Sequence, residues 1–378
     1  MNSIFEINDE LSKKSKAFRE IFNRIYDIRF VDADIVIPDS FKKKVIGYFS
    51  SLVDSAKGSE IVSIGRVKDG REKEEFILEK VEKQKVLKIY NRFSGEGTLF
   101  NYLRSMRPGV NPFASKGNEI KSRVYKMIEE SRKNCDFCEP LLYTPEDSFG
   151  RIRGKFCITS ANMAKYDKYH SLIIFDNHNP LEFNPDEFSD YIETFCKWYQ
   201  RITEISPEYI FPLLIWNCLP RAGASKVHGH MQILAGDTPY PRTALLLESY
   251  KKYQVETGRN YFEDIVKIHD ELGLVKEVGG VKMLSYLTPV KEREVMVFSE
   301  SLDKDYRSVI YKILRDYIDR LQVYNFNMSI QRIILDGGRK IYITRLVDRG
   351  NPLSIISDFA SMEIYAASVV AGDPAKLW

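Results

Sequence analysis

The sequence predicts an α+β fold in which a duplicated unit forms a mostly antiparallel sheet flanked by helices. A strand–strand–helix–strand–strand order occurs twice, and both helices carry apolar residues at spacings of three and four, the pattern of a helix with one buried face. The first copy falls near 154–159, 171–175, 185–204, 211–216 and 228–235, and the second near 283–287, 294–298, 303–323, 326–334 and 339–346.

The first long helix has a clear start signal. Asn184 precedes Pro185 in the run Asn-Pro-Asp-Glu. An asparagine side chain can accept hydrogen bonds from the first free N–H groups of a helix, and proline is favoured at the first helical position. We therefore expect the helix to begin here and to bury its aromatic stripe.

The rest of the chain predicts an N-terminal extension and a closing helix. Residues 1–87 contain helical patterns near 9–26 and 40–56 and strand-like runs near 60–66 and 75–91. A last helix is expected near 356–371, and His269, in a charged helix outside both copies, is expected at the surface. The expected division is an extension at 1–87, a histidine-bearing half at 88–240 and a degenerate second half at 241–378.

Charge and cysteine content narrow the function classes. The net charge is +3 in 378 residues, which does not provide the basic surface typical of nucleic-acid or membrane partners. No apolar run approaches the roughly 20 residues of a membrane span. The five cysteines are an odd and sparse set, and the first residues lack a signal-peptide pattern. We expect thiols or metal ligands in a cytoplasmic protein.

Two histidines share one strand-like segment near the end of the first copy. Side chains alternate between the faces of a strand, so His228, His230 and Gln232 are expected on one face, roughly 6–7 Å apart. A neutral imidazole is nucleophilic near pH 7, and the preceding loop offers N–H groups, a hydroxyl and cations to phosphate oxygens. The pattern favours a polyphosphate site over a half-buried strand with a polar face.

Two further patterns suggest ligands. Cys135 and Cys138 form a Cys-x-x-Cys pair, a common half-site for tetrahedral zinc, which His178 and one later histidine would complete. A redox pair and two unrelated buried thiols are the alternatives. Arg104 and Arg107, three residues apart, predict either a two-pronged phosphate clamp or a solvated helix face.

Together these residues resemble the galactose-1-phosphate uridylyltransferase family, the transferase branch of the histidine-triad superfamily. That family has an asparagine eleven residues before a His-Pro-His-x-Gln strand and a serine three residues before it, the spacings of Asn217 and Ser225 from His228. Its early Tyr-Asn-Pro-x-Thr-Gly-Glu and Arg-x-x-Arg-Pro stretches are matched by residues 90–96 and 104–108. The resemblance covers roughly 88–378 and implies a duplicated histidine-triad-like fold.

The resemblance also implies a chemistry. His230 would attack the α-phosphorus of a nucleotide sugar, release a sugar 1-phosphate and hold the nucleoside monophosphate until a phosphate-bearing acceptor removes it. Gln232 would bond the transferred phosphoryl group, assisted by Ser225, and Asn217 would lie near the nucleotide. A glutamine cannot transfer protons near neutral pH, so transfer to an acceptor is expected instead of hydrolysis.

A structural Zn²⁺ and a homodimer are implied in the same way. The family's zinc ligands correspond to Cys135, Cys138, His178 and His228. In the family, arginines near the positions of Arg104 and Arg107 reach phosphates of a neighbouring subunit.

Departures from the family pattern leave the base and the sugar open. Gly229 replaces the family's proline, and Asn162-Met-Ala stands where the family has its nucleoside-contacting Asn-Asp-Phe. The segment 357–366 does not clearly retain the lysine, tyrosine and glutamine of the family. The alternatives are a phosphorylase that uses inorganic phosphate on a nucleotide sugar or a dinucleoside polyphosphate, and a zinc-containing nucleotide-binding protein without turnover.

Overall fold

The computed structural model describes residues 1–50, 70–106, 117–354, 357–359 and 361–378. The strands are β1 (Tyr26–Asp34), β2 (Lys83–Asn91), β3 (Gly97–Phe100), β4 (Cys157–Ala161), β5 (Tyr169–Phe175), β6 (Phe211–Cys218), β7 (His230–Gly236), β8 (Val275–Val278), β9 (Val281–Ser285), β10 (Val295–Ser299), β11 (Phe326–Ile334), β12 (Lys340–Asp348) and β13 (Ala367–Val370). The helices are α1 (Ile7–Ser12), α2 (Lys16–Ile25), α3 (Asp39–Tyr48), α4 (Gly70–Glu82), α5 (Gly117–Glu130), α6 (Pro140–Tyr143), α7 (Pro185–Ile205), α8 (Pro241–Thr257), α9 (Tyr261–Glu271), α10 (Lys304–Arg315) and α11 (Ser361–Ile364).

Nine strands form one large sheet in the order β4-β5-β7-β6-β11-β12-β10-β9-β8. Neighbouring strands in it are antiparallel. The order is symmetrical about the β6–β11 pair, so that β12 holds in the second copy the place that β7 holds in the first. The expected duplication and the α+β fold with a mostly antiparallel sheet are therefore confirmed.

Helices α7 and α10 pack on one face of the large sheet and form the main core with it. Helix α7 begins as predicted, because the Asn184 side chain accepts from the backbone N–H groups of Asp186 and Glu187, and the Glu187 carboxylate accepts from the Asn184 N–H. Its aromatic stripe is buried, with Trp198 at 0% exposure. This helix holds β5 and β7, the strands that carry the histidines.

A second sheet of four strands, in the order β1-β2-β3-β13, combines three N-terminal strands with β13 from the C-terminal segment, and we call it the N-terminal sheet. Helices α2, α8 and α9 join it to the opposite face of the second half in a separate core. The predicted boundary between 87 and 88 falls inside β2, and the domain division stays a prediction. No helix in the described parts of the chain is both long and apolar enough to span a membrane.

Three local predictions were wrong. The expected closing helix at 356–371 is replaced by the four-residue α11 and by β13, which pairs with β3 in parallel. Its Val369 and Val370 are β-branched residues that favour a strand with a free sheet edge beside it. Residues 75–82 are helical instead of extended, because the glutamate- and lysine-rich run is composed of good helix formers. The predicted run at 60–66 lies outside the described residues.

The third error concerns His269, which is fully buried instead of exposed. Its Nδ1–H donates to the carbonyl of Ile265 at 2.7 Å, and its Nε2 accepts from the N–H of Leu287 at 3.1 Å. Its ring stacks on Tyr286 with centroids 5.4 Å apart. Both ring nitrogens are satisfied, so this histidine is part of the core.

Candidate functional site

Four predicted ligands meet at one point beside β5 and β7. The Nδ1 atoms of His178 and His228 are 3.1 Å apart, and the Cys138 sulfur lies 3.3 and 3.6 Å from them. The Cys135 sulfur lies 3.5 Å from His228 Nδ1. All four donor atoms are within 4.8 Å of one another, so residues far apart in the chain form one cluster.

The donor set fits a tetrahedral metal ion. Zinc with Zn–N bonds of about 2.0–2.1 Å and Zn–S bonds of about 2.3 Å would separate its ligand atoms by about 3.3–3.8 Å, close to the distances in this cluster. Desolvation and the neighbouring Cys135 thiol raise the pKa of Cys138 to about 11. Two adjacent thiolates are thus unfavourable without a cation between them, and a bound divalent cation removes that penalty.

The outer ring nitrogens direct both histidines toward the cluster. His228 Nε2 lies 2.8 Å from the carbonyl oxygen of Phe175, and His178 Nε2 lies 3.1 Å from that of Ile128. A carbonyl oxygen can only accept, so each Nε2 carries the proton and each Nδ1 has its lone pair free. Burial lowers the pKa of His228 to about 4. Two lone pairs facing each other at 3.1 Å repel, so a cation between them would stabilise this arrangement, and the four residues could hold a metal ion.

His230 is oriented for a different task. It begins β7, is 6% exposed, and its Nδ1–H donates to the carbonyl of His228 at 2.8 Å. The Nε2 lone pair is therefore available. Burial lowers the pKa of this ring, which favours its neutral form. A neutral imidazole with a fixed Nδ1–H is the form in which histidine acts as a nucleophile.

Phe137, between the two cysteines, connects the metal cluster to His230. Its ring meets His228 and His230 edge-on, with centroids 5.9 and 5.3 Å away. The loop is also held by an ion pair of 2.6 Å between Asp136 and Lys226. Sequence reasoning gave Phe137 no role, because its contact with the histidines depends on the loop fold that the cysteines impose.

The Gln232 side chain is held by a residue of the neighbouring strand β5. The Nε2 atom of His170, on β5, lies 3.0 Å from Oε1 of Gln232. The side-chain nitrogen of Asn162 lies 3.1 Å from the same imidazole nitrogen. Asn162 is therefore connected to Gln232 through His170. Sequence reasoning missed His170, although a histidine near the start of a mostly apolar strand was a detectable signal.

Asn217 lies at the junction of the two copies. Its Oδ1 accepts from the side-chain nitrogen of Asn327 at 2.7 Å, and Asn327 also donates to the carbonyl of Ala222 at 2.8 Å. Arg349 donates to the Asn327 oxygen and pairs with Asp358. The network ties β6 and the loop between β6 and β7 to the C-terminal segment.

Three other predicted site residues are not placed beside the histidines by the described structure. Ser225 is exposed in the loop before β7, and no hydrogen bond joins it to His230 in the part of the chain that is described. Arg104 lines an apolar groove with Phe41 and Gln84. Arg107 lies outside the described residues.

Gly229 is required by packing. A Cβ atom added there would lie 2.4 Å from Cδ2 of Phe175. The Phe175 ring is itself fixed, because it stacks on Tyr191 with centroids 3.9 Å apart and planes 5° apart. The aromatic stack therefore occupies the space that a larger residue between the two histidines would need.

Comparisons with known proteins agree with this architecture. No family model matches the chain. An uncharacterized protein of Archaeoglobus fulgidus is 24% identical over 225 residues, which are 53% of this chain and 66% of that protein. The chain thus covers slightly less than two thirds of the length of that relative.

Solved structures are similar in fold. A GalT-like protein from Arabidopsis thaliana has a TM-score of 0.52 at 16% identity, over 65% of this chain and 90% of its own. An ADP-glucose phosphorylase from the same plant has a TM-score of 0.54 at 13% identity, over 76% of this chain and 96% of its own. A uridylyltransferase mutant has a TM-score of 0.52 at 14% identity, over 64% of this chain and 88% of its own. The chain therefore has an α+β fold similar to the folds of these three proteins. The predicted resemblance to galactose-1-phosphate uridylyltransferase and its relatives is confirmed at the level of fold.

Proposed function

We propose that this protein transfers a nucleoside monophosphate from a nucleotide sugar to a sugar 1-phosphate. The observation that carries the proposal is the orientation of His230, whose Nδ1–H is fixed on the His228 carbonyl at 2.8 Å. The free Nε2 lies on the same strand face as Gln232. A buried neutral imidazole beside an amide suits attack on phosphorus.

The reaction consists of two displacements. In the first, the His230 Nε2 lone pair forms a bond to the α-phosphorus while the bond from that phosphorus to the bridging oxygen breaks. The sugar 1-phosphate leaves with the bonding electrons. In the second, a phosphate oxygen of the acceptor attacks the same phosphorus and the P–N bond breaks, which restores the free imidazole. Ping-pong kinetics follow from this order.

Neighbouring side chains have supporting roles in the proposal. The Gln232 amide donates to the transferred phosphoryl group as negative charge develops on it. Asn217 and Asn162 lie on opposite sides of Gln232, and we assign both to the nucleotide. Ser225, exposed in the preceding loop, would reach the phosphoryl group once substrate is bound. Arg104 and Arg107 keep a phosphate-binding role only in a homodimer, where a second chain would supply them.

We assign zinc to the cluster of Cys135, Cys138, His178 and His228. A zinc ion would supply a fixed positive charge that holds two thiolates and two imidazoles together. The chain's own contribution is the rigid link from His228 to His230 through one backbone carbonyl. The proposed role is structural, because all four ligands come from the protein.

Inorganic phosphate is the second candidate acceptor. The ADP-glucose phosphorylase with this fold is named for a phosphorolytic reaction, and the first displacement on His230 is the same for either acceptor. The two reactions differ only in what removes the nucleotidyl group. A non-catalytic nucleotide-binding protein would lack the covalent intermediate.

The covalent intermediate is testable by intact-mass spectrometry. The protein is incubated with UDP-, ADP- or GDP-glucose without acceptor, and we expect the mass of one nucleoside monophosphate to be added. His230→Ala should abolish the adduct while retaining the melting temperature. Glucose 1-phosphate and inorganic phosphate are then added separately, and the one that removes the adduct identifies the acceptor. An adduct that persists in His230→Ala would refute the proposed nucleophile.

The metal assignment is tested independently. Metal analysis of the purified protein should find zinc, and Cys138→Ser should lower its zinc content and melting temperature, since structural zinc contributes several kcal/mol to folding. Cys196→Ser, at an exposed cysteine outside the cluster, is the matched control and should leave both unchanged. Equal zinc content in the two variants would contradict the assignment.

A further inference from the structure

A cavity of about 130 Å³ opens on the second half of the sheet. Its floor includes Ser329 and Gln331 of β11 and Arg345 of β12. Across from them lie Glu96, in the turn between β2 and β3, and Arg242, at the start of α8. The cavity therefore joins the N-terminal sheet, the second copy and α8. None of the residues assigned above to catalysis or to metal binding lines it.

Strand register connects this cavity to the catalytic strand. Gln232 pairs with Ile215, Ile215 with Ser329, and Ser329 with Arg345. Paired residues of neighbouring strands share a face. All four are partly exposed. Since strands lie about 4.8 Å apart, Ser329 is about 10 Å from Gln232 along this row.

The cavity has unused hydrogen-bonding capacity. Arg345 binds Glu96 through Nη1 at 2.6 Å and Glu294 through Nε. Its Nη2 is buried and has no hydrogen-bond partner within the described residues. That nitrogen has almost no accessible surface, so a ligand meets instead the side chains of Ser329 and Gln331, which line the cavity and are partly exposed.

The charges around the cavity favour a neutral ligand. Arg242 and Arg345 are balanced by Glu96 and Glu294, with ion pairs from Arg242 and Arg345 to Glu96 and from Arg345 to Glu294. A second phosphate would be repelled by these carboxylates, and the cavity has no net positive charge to offset that repulsion. Hydroxyl groups both donate and accept, which matches the Ser329 hydroxyl, the Gln331 amide and the Glu96 carboxylate within one small space.

Aromatic side chains complete the cavity. Tyr261, Tyr286 and Phe298 line it beside the polar groups, and the Arg345 guanidinium lies 5.7 Å from the centre of the Tyr286 ring. An apolar wall with a few convergent polar groups is the usual make-up of a small-molecule site. A polyhydroxylated ring presents both kinds of surface, C–H faces and hydroxyl edges.

We infer that this cavity binds the sugar ring of the nucleotide sugar and, in the second half-reaction, the sugar ring of the acceptor. The inference rests on the proposed function, because it places the α-phosphorus at His230. The diphosphate then runs over Ile215, from Gln232 toward Ser329. Both half-reactions use one sugar site, as two-displacement chemistry on a single histidine requires.

Two kinds of substrate distinguish a defect in sugar binding from a defect in the reaction at His230. Nucleoside 5′-phosphorimidazolides carry no sugar beyond the phosphate and label the histidine directly, whereas UDP-, ADP- and GDP-glucose need the sugar site. Ser329→Leu fills the cavity floor, and Gln331→Leu removes an amide with little change in volume. For each variant, the rate constant of nucleotidylation from the nucleotide sugar is divided by that from the matching imidazolide. Ser12→Leu, at an exposed position, is the control.

We expect the ratio to fall about tenfold or more in both cavity variants, the loss typical of a site with unpaired polar groups or a blocked volume, and to stay at the wild-type value in Ser12→Leu. An unchanged ratio would overturn the inference, even if both rates fell together. Wild-type protein labelled by imidazolides but by none of the nucleotide sugars would also overturn it, while leaving the nucleophile in place. Wild-type protein labelled by neither would instead refute the proposed function.

Discussion

His170 donates a hydrogen bond from Nε2 to Oε1 of Gln232 at 3.0 Å. The direction follows from its other nitrogen, because the backbone N–H of Tyr166 donates to Nδ1 at 3.0 Å and leaves the proton on Nε2. Burial lowers the pKa of His170, which favours this neutral ring. The bond occupies the Gln232 carbonyl oxygen, so the amide N–H groups are the part that can meet a phosphoryl oxygen.

We therefore predict that His170→Phe lowers the rate of nucleotidyl transfer about tenfold, the equivalent of one lost hydrogen bond of about 1.4 kcal/mol. The effect should fall on kcat more than on KM, since in the proposed mechanism Gln232 acts on the charge that develops during transfer. Single-turnover kinetics with a nucleotide sugar measure it. His170→Gln retains an N–H donor and should recover part of the rate. Equal losses in both variants would indicate a packing role only.

Phe137 is the second positioning residue to be tested. Phe137→Ala removes the ring that meets the His230 imidazole edge-on at 5.3 Å, a contact worth about 0.5–1.5 kcal/mol. We expect kcat/KM to fall about two- to tenfold with zinc content unchanged, because both cysteines are retained. Tyr143→Ala, at an exposed aromatic residue shortly after the cluster, is the control and should change neither quantity. Zinc loss in Phe137→Ala would contradict a role limited to the imidazole.

How much the sequence alone predicts depends on the range of the interactions. The cysteine pair of the cluster and the start of α7 were predictable, because Cys-x-x-Cys and the Asn184 cap are local signals. The roles of His170 and Phe137 were not, since each depends on a contact between distant segments. The closing helix was wrong for the same reason: residues 367–370 became a strand through pairing with β3. His269 was misplaced because a charged helix can still bury a satisfied imidazole.

Gly229→Ala should destabilise the protein. The added methyl group would overlap Phe175 at 2.4 Å, and overpacking of this kind costs about 1–3 kcal/mol. Gly47→Ala is a matched control, because Gly47 lies in α3 with no heavy atom within 4 Å of the added carbon. That change should stabilise by up to about 1 kcal/mol. Urea unfolding of both variants measures the difference, and equal stabilities would show that Phe175 can move aside.

The Glu96 carboxylate links stability to pH. It is buried, which by itself opposes ionisation, but Arg345 and Arg242 more than compensate and lower its pKa from 4.5 to about 2. A carboxyl group whose pKa is lower in the folded state than in the unfolded state stabilises the fold. This stabilisation is complete at pH values above the unfolded-state pKa and is lost as the pH falls through the folded-state pKa. The window is therefore about pH 4.5 down to 2. Burial raises the pKa of Glu294 on the same arginine, so its contribution has the opposite sign.

We predict that the stability difference between wild type and Glu96→Gln is largest near pH 6 and narrows by up to about 3 kcal/mol on acidification to pH 2. Glutamine keeps the shape of the side chain but does not titrate, so subtraction cancels the titrating groups that do not interact with Glu96. Urea unfolding at several pH values gives the difference directly. A difference that stayed constant or widened toward low pH would mean that Glu96 is not ionised against Arg345, because only a carboxylate stabilised by that guanidinium loses its advantage on protonation.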